Sequence, residues 1–176
     1  EYILDECLAS GINEFIFIIS KKKMMIKKYF YNDSFYKKII KSKKNNKQLK
    51  LKYQKIKKIK KMIKFVYQNK PKGTGDAILK CEKLIKSKYF LLLMPDDLII
   101  NKNCTREMLD LYKNKKCSII ATKTVSKNDV SRWGMLSIKN KKKNHFQITN
   151  VIEKPTFAKS PSNYAIIGRY ILSSKI

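Results

Sequence analysis

Residues 89–97 read Tyr-Phe-Leu-Leu-Leu-Met-Pro-Asp-Asp. Tyr89 to Met94 is a continuous apolar run, and such a run without alternation fits a short strand buried on both faces. It ends at Pro95 and two adjacent carboxylates, Asp96 and Asp97. Similar strands are expected at Glu14 to Ser20, at Phe65 to Gln68, at Cys117 to Thr122 and at Ala165 to Leu172. Helical spacing separates them. Residues 1–10 place Ile3, Leu4, Cys7 and Leu8 on one face and close at Gly11. Residues 21–62 read as two or three helices, with Phe30, Phe35, Ile39 and Ile40 inward. Residues 74–86 and a segment capped by Asn103, running to about Lys116, complete the set. Residues 133–138 and 146–152 suggest a hairpin around the polar turn 140–144. Helices alternating with apolar strands predict an α/β fold with a largely parallel sheet. The 176 residues fit a single domain, 1–176.

Net charge is +28, which at first suggests nucleic acid. Only Arg106, Arg132 and Arg169 among the 41 basic residues are arginine, however. Base and phosphate recognition leans on arginine's planar fork. Abundant Lys, Ile, Asn, Tyr and Phe are the residues of A/T-rich codons, so the charge reads as compositional drift. Residues 21–64, a Lys-rich helical insert, hold 19 Lys and one acid, Asp33, and carry +18. We expect a solvated helix face there and no specific nucleic-acid partner.

No apolar run is long enough to cross a bilayer, so no membrane partner is expected. Cys7, Cys81, Cys104 and Cys117 are scattered and His145 is the lone histidine, which argues against a zinc site. With no basic leader at the start, reduced thiols of a cytoplasmic protein are expected. The first residue is Glu rather than Met, which fits a processed chain or a piece of a longer one.

Three motifs stand at expected strand ends, where open α/β sheets bind ligands. Gln68-Asn-Lys-Pro-Lys-Gly-Thr-Gly75 is a glycine-containing loop feeding a helix. It suits close approach of an anion to backbone, though an ordinary strand-to-helix turn fits the spacing as well. Asp96 and Asp97 suit a hard cation such as Mg²⁺, or a plain Asp-rich turn. Glu153-Lys154-Pro155 suits a phosphate ester bearing hydroxyls, or a surface ion pair. Trp133 reads as packing before stacking, and His145 as exposed.

In their order, these motifs resemble the sugar nucleotidyltransferases, and among them the UTP–glucose-1-phosphate uridylyltransferases. EYILDECLASGINEFIF at 1–17, YFYNDSFYKKIIK at 29–41, QNKPKGTGDAIL at 68–79, LLLMPDDLI at 91–99, RWGML at 132–136, VIEKP at 151–155 and SNYAIIGRYIL at 162–172 carry the likeness. The resemblance implies a Rossmann-like three-layer fold, helices on both faces of the sheet, and a β-ribbon. It implies uridylyl transfer from UTP to glucose 1-phosphate, with Mg²⁺ as cofactor. Gln68 would read the uracil edge and Gly73 would let the loop meet the nucleotide. Asp96 would hold the metal, with Asp97 a weaker candidate. Gly134 would approach the sugar, Glu153 would bind its hydroxyls, and Lys154 its phosphate. Asp96 and Lys154 would be the catalytic pair. Asp96, Gln68 and Gly73 are expected to face one cleft, with Glu153 and Lys154 on its sugar-phosphate side. A homo-oligomer is expected for the full-length protein.

Three departures matter. Asn69 replaces a usual Gly, Asp76 a usual His and Trp133 a usual Tyr. Asp76 adds negative charge near a phosphate site. The family's Gly-rich loop, with its catalytic Arg and Lys, would precede Glu1, and a second metal-binding Asp would follow Ile176. The chain therefore reads as a fragment, inactive alone. Alternatives are a thymidylyl- or adenylyltransferase, a basic nucleic-acid-binding protein and a non-catalytic relic.

Overall fold

The computed structural model describes residues 1–43 and 46–175. Positions 44 and 45 of the Lys-rich insert lie outside the described residues. The chain divides into two compact units, Gly11–Lys86 and a discontinuous one of Glu1–Ser10 with Ser87–Ile176.

In the Gly11–Lys86 unit, β1 (Phe15–Ile19) pairs parallel with β2 (Ile63–Tyr67), in register from Phe15 opposite Ile63 to Ile19 opposite Tyr67. A parallel pair needs a long crossover. The Lys-rich segment supplies it as α2 (Met24–Tyr31), α3 (Asp33–Ser42) and α4 (Lys47–Ile59). Asn32 and Asn46 cap α3 and α4, each side chain accepting from the backbone N–H three residues on. Phe17 meets Phe30 and Phe65 edge-on, and Tyr36 stacks on Tyr53 at 5.4 Å. Phe30 is buried as expected, but Phe35 is not: it is 53% exposed, and Tyr36 takes the inward position. The Asn32 cap sets the phase of α3, which turns Tyr36, Ile39 and Ile40 to one face. The Lys60 ammonium bonds Asp33 at 2.9 Å and holds its carboxyl below the usual range. The helix expected over 74–86 is shorter. It runs as α5 (Thr74–Leu79), then tightens where the Cys81 N–H donates to the Ile78 carbonyl, three residues back.

In the other unit, α1 (Tyr2–Ala9) precedes β3 (Tyr89–Leu93), α6 (Cys104–Lys115), β4 (Ile119–Thr124), β5 (Gly134–Lys139), β6 (Gln147–Glu153) and β7 (Tyr164–Ser173). The strand order is β3-β7-β5-β6, with β4 also paired to β7. Every pairing in this sheet is antiparallel. The α/β class holds, but the largely parallel sheet does not. β3 and β4 run the same way, and β7 lies between them in the opposite direction, so neither meets a parallel neighbour here. β3 is also half-buried along its length rather than fully buried. The expected hairpin is present as β5 and β6. Met108, Ile119 and Ile171 form one core cluster, and Val130, Met135 and Ala165 another, with Trp133 packed on it. Among the described residues no helix is long and apolar enough to cross a membrane.

Cys7 is fully buried, and burial, with the Glu6 carboxylate adding to it, pushes its thiol from 9.0 to about 11. The unfolded chain then releases this proton first as pH rises. The stabilisation is complete below about 9 and is lost between about 9 and about 11. Urea unfolding on both sides of that window should show a smaller alkaline loss for Cys7→Ala than for the parent chain. Equal losses would mean that the thiol takes no part.

Candidate functional site

The β3 strand delivers Asp96 into the turn at its carboxyl end. Its side chain is exposed, whereas Asp97 is half-buried and its Oδ2 accepts from the Gly168 N–H at 2.8 Å. One carboxylate of the pair is therefore tied to β7 and the other faces solvent. The Arg169 guanidinium donates to the Met94 carbonyl at 3.1 Å and the Asp97 carbonyl at 2.8 Å, on either side of Asp96. Among the described residues no three His, Cys, Asp or Glu side chains gather into a ready-made metal cage. Oxygen-only donors on one exposed carboxylate fit Mg²⁺, which commonly takes one or two carboxylates and completes its shell with water and substrate phosphates.

At the open end of the ribbon, Gly134 lies opposite Glu153. A Cβ at Gly134 would come within 3.1 Å of Glu153 Oε2, so the absent side chain makes room for the carboxylate. β6 stops at Glu153, and Pro155 behind it is buried. Lys154 stands between them with φ of 45°, a left-handed conformation unusual for lysine, and its N–H donates to the Trp133 carbonyl at 3.0 Å. That turn leaves Lys154 Nζ exposed, 3.9 Å from Glu153 Oε1. Lys123 Nζ sits 3.5 Å over the Trp133 ring, so this aromatic is packed on one side and covered by a cation.

Tyr170 lies on β7, half-buried. Burial raises its phenol, and the Asp97 and Glu153 carboxylates both push it further the same way. Asp96, Gly134, Glu153 and Lys154 thus belong to one unit, on elements that converge on β7. Tyr170, Gly168, Arg169 and Glu6 were not singled out from sequence. Arg169 had a signal, as one of three arginines in a lysine-dominated chain.

Gln68 and Gly73 belong to the Gly11–Lys86 unit. Gly73 opens α5 with φ of 96°, a conformation open to glycine and strained for other residues. Gln68 Nε2 donates to the Gly73 carbonyl at 3.2 Å and to Asp76 Oδ2 at 2.7 Å. Asp76 also faces Lys80 at 3.8 Å. Both amide donors of Gln68 are therefore spent inside the loop, and its oxygen is left to accept.

The whole chain, residues 1–176, matches the model of the Nucleotidyl transferase family. The chain belongs to the nucleotidyl transferase family. It is 31% identical over 186 residues to a protein of Streptococcus pyogenes serotype M3 named UTP–glucose-1-phosphate uridylyltransferase 2. It is 28% identical over 183 residues to the UTP–glucose-1-phosphate uridylyltransferase of Bacillus subtilis. Both matches cover 100% of this chain but 60% of the relative, so the chain spans about three-fifths of their length. The crystal structure of an apo UDP-glucose pyrophosphorylase matches with a TM-score of 0.85 at 29% identity, over 99% of this chain and 64% of that one. A UDP-glucose pyrophosphorylase from Acinetobacter baumannii shares the fold, with a TM-score of 0.87 at 23% identity over 99% of this chain and 62% of that one.

Gly168 is the tightest point of the site. An added Cβ would lie 2.4 Å from Met94 Cβ and 2.7 Å from Asp97 Oδ2. Gly168→Ala should therefore destabilise by about 1–3 kcal/mol, the usual cost of overpacking. Urea unfolding measures this, and an unchanged midpoint would show that the turn yields freely.

Proposed function

We propose that the protein containing this chain transfers a uridylyl group from UTP to glucose 1-phosphate. A phosphate oxygen of glucose 1-phosphate attacks the α-phosphorus of UTP. The bond to the bridging oxygen breaks, and UDP-glucose and pyrophosphate leave. The observation that carries this reading is the ribbon end, where a carboxylate, an exposed ammonium and a glycine without a side chain share one strand terminus. A carboxylate accepts from vicinal hydroxyls and an ammonium pairs with phosphate. Glu153 is the hydroxyl acceptor, Lys154 the phosphate partner, and Gly134 the residue that lets the sugar approach. The names of the matched relatives favour the same substrates.

In the Gly11–Lys86 unit, Gln68 presents an acceptor oxygen toward the N3–H of a uracil, and Gly73 keeps the loop backbone accessible to the nucleotide. Asp96 is the residue that would hold Mg²⁺, whose positive charge supports nucleotidyl transfer by offsetting charge on the phosphates. Lys154 adds positive charge at the acceptor phosphate. The described cysteines are free thiols, which supports a reducing compartment, and we assign the protein to the cytoplasm.

Lys154→Ala in the full-length protein should weaken transition-state binding by about 2–4 kcal/mol, the usual cost of removing a donor at developing charge. Lys154→Arg should also be poor, because a planar fork does not replace a point charge. UDP-glucose formation is the measurement, and equal rates for Lys154→Ala and the parent would remove Lys154 from the site.

A further inference from the structure

Arg169 has no exposed surface, yet it carries a full positive charge. A buried guanidinium is tolerated when its donors are matched, and here the four Nη donors are matched while the buried Nε has no partner among the described residues. Nη1 donates to the carbonyls of Met94 and Gly168, each at 3.1 Å. Nη2 donates to the Asp97 carbonyl at 2.8 Å and to Glu6 Oε2 at 3.3 Å. Glu6 is itself fixed, since its Oε1 accepts from the Thr105 N–H at 2.9 Å and from Thr105 Oγ1 at 2.8 Å. Gly168, the neighbour of Arg169, bonds the Asp97 side chain. The turn 94–97 is thus gripped at Met94, at Asp97 backbone and at Asp97 side chain, and the Asp96 side chain is exposed.

We propose that Arg169, with Glu6 as its counter-ion, is a positioning residue that holds the Asp96 carboxylate in place for a divalent cation; this rests on the reading of Asp96 as the metal ligand. Arginine suits the role because one planar group must reach two backbone carbonyls flanking the ligand and a carboxylate together. A lysine ammonium at the same place has neither the reach nor the fork. The grip acts on the backbone on either side of Asp96, at the Met94 and Asp97 carbonyls.

The test uses the full-length protein and the Mn²⁺–UTP complex as probe, with water-proton relaxation reporting the slow-tumbling ternary complex. Removing a partner that orients a metal ligand typically weakens metal binding about 10- to 100-fold. Arg169→Lys should weaken the ternary complex by about 10-fold or more. Its amides at 96–98 should exchange hydrogen faster without metal, and the KM for glucose 1-phosphate should stay close to that of the parent. Should Arg169→Lys fail to fold, the double variant Glu6→Gln/Arg169→Met decides, because it buries no unpaired charge and keeps an acceptor for Thr105. Folded variants that bind Mn²⁺–UTP like the parent, or that lose glucose 1-phosphate affinity in step with the metal, overturn the proposal. Asp96→Asn separates the two layers. Weaker binding there with unchanged Arg169 variants sinks the positioning role alone, whereas no effect of Asp96→Asn sinks the metal assignment and this proposal with it.

Discussion

The ion pair between Arg169 and Glu6 joins residues 163 positions apart, and it explains why ten N-terminal residues belong with the last ninety. Taking a guanidinium out of water costs several kcal/mol unless its donors find acceptors. Here the acceptors of both Nη groups come from α1, the turn after β3, and β7, so those four donors find partners only when all three are in place. Companion bonds reinforce the same joint. Ser10 Oγ donates to Asn103 Oδ1 at 2.9 Å, and Arg106 donates to the Ala9 carbonyl. The side chain of Asn103 accepts both that bond and the Arg106 N–H, so the cap of α6 and the end of α1 share one residue. The Asp96 turn inherits its geometry from this joint.

Lysine plays the opposite part in the Gly11–Lys86 unit. Its charge is spread over helix surfaces, and several ammonium groups lie over aromatic rings. Lys27 Nζ sits 5.5 Å from the Tyr67 ring and bonds its hydroxyl at 2.9 Å. Lys57 and Lys60 lie over Tyr53 and Tyr31. Long stems cover apolar surface while the ammonium stays wet, so a fold can absorb many lysines where it tolerates them. Arg169 stands buried where a lysine would not do, whereas Arg132 makes an exposed bond to Asp129 at 3.2 Å.

Local signals were legible and directions were not. The apolar runs located the strands to within a few residues, because burial demands them wherever the strand sits. An apolar run has no arrow, however, and nothing in Tyr89 to Met94 says that β7 will pair with it from the opposite direction. The approach of Gly134 to Glu153 was legible because one hairpin brings both to its open end. Phe35 was misread because helical spacing alone admits either phase, and the Asn32 cap chose the phase that buries Tyr36. Glu6 carries no signal of its own in the sequence. Its partner lies at the other end of the chain, beyond the reach of periodicity.

The Asp76 departure acquires a different meaning from its bonds. An added carboxylate beside the loop proposed to meet the nucleotide would be unfavourable if it faced phosphates. Here Asp76 Oδ2 accepts from Gln68 at 2.7 Å and Oδ1 faces Lys80 at 3.8 Å, so the charge is engaged within the unit. The same bond fixes which way the Gln68 amide points. A free glutamine can turn either its NH₂ or its oxygen outward, and so can accept from or donate to a base edge. With Nε2 committed to Asp76 and to the Gly73 carbonyl, the oxygen remains for a donor such as an imide N–H. The residue that departs from the pattern therefore fixes the polarity of Gln68, and under the function proposed above a base lacking a donor at that edge would set two acceptor oxygens against each other.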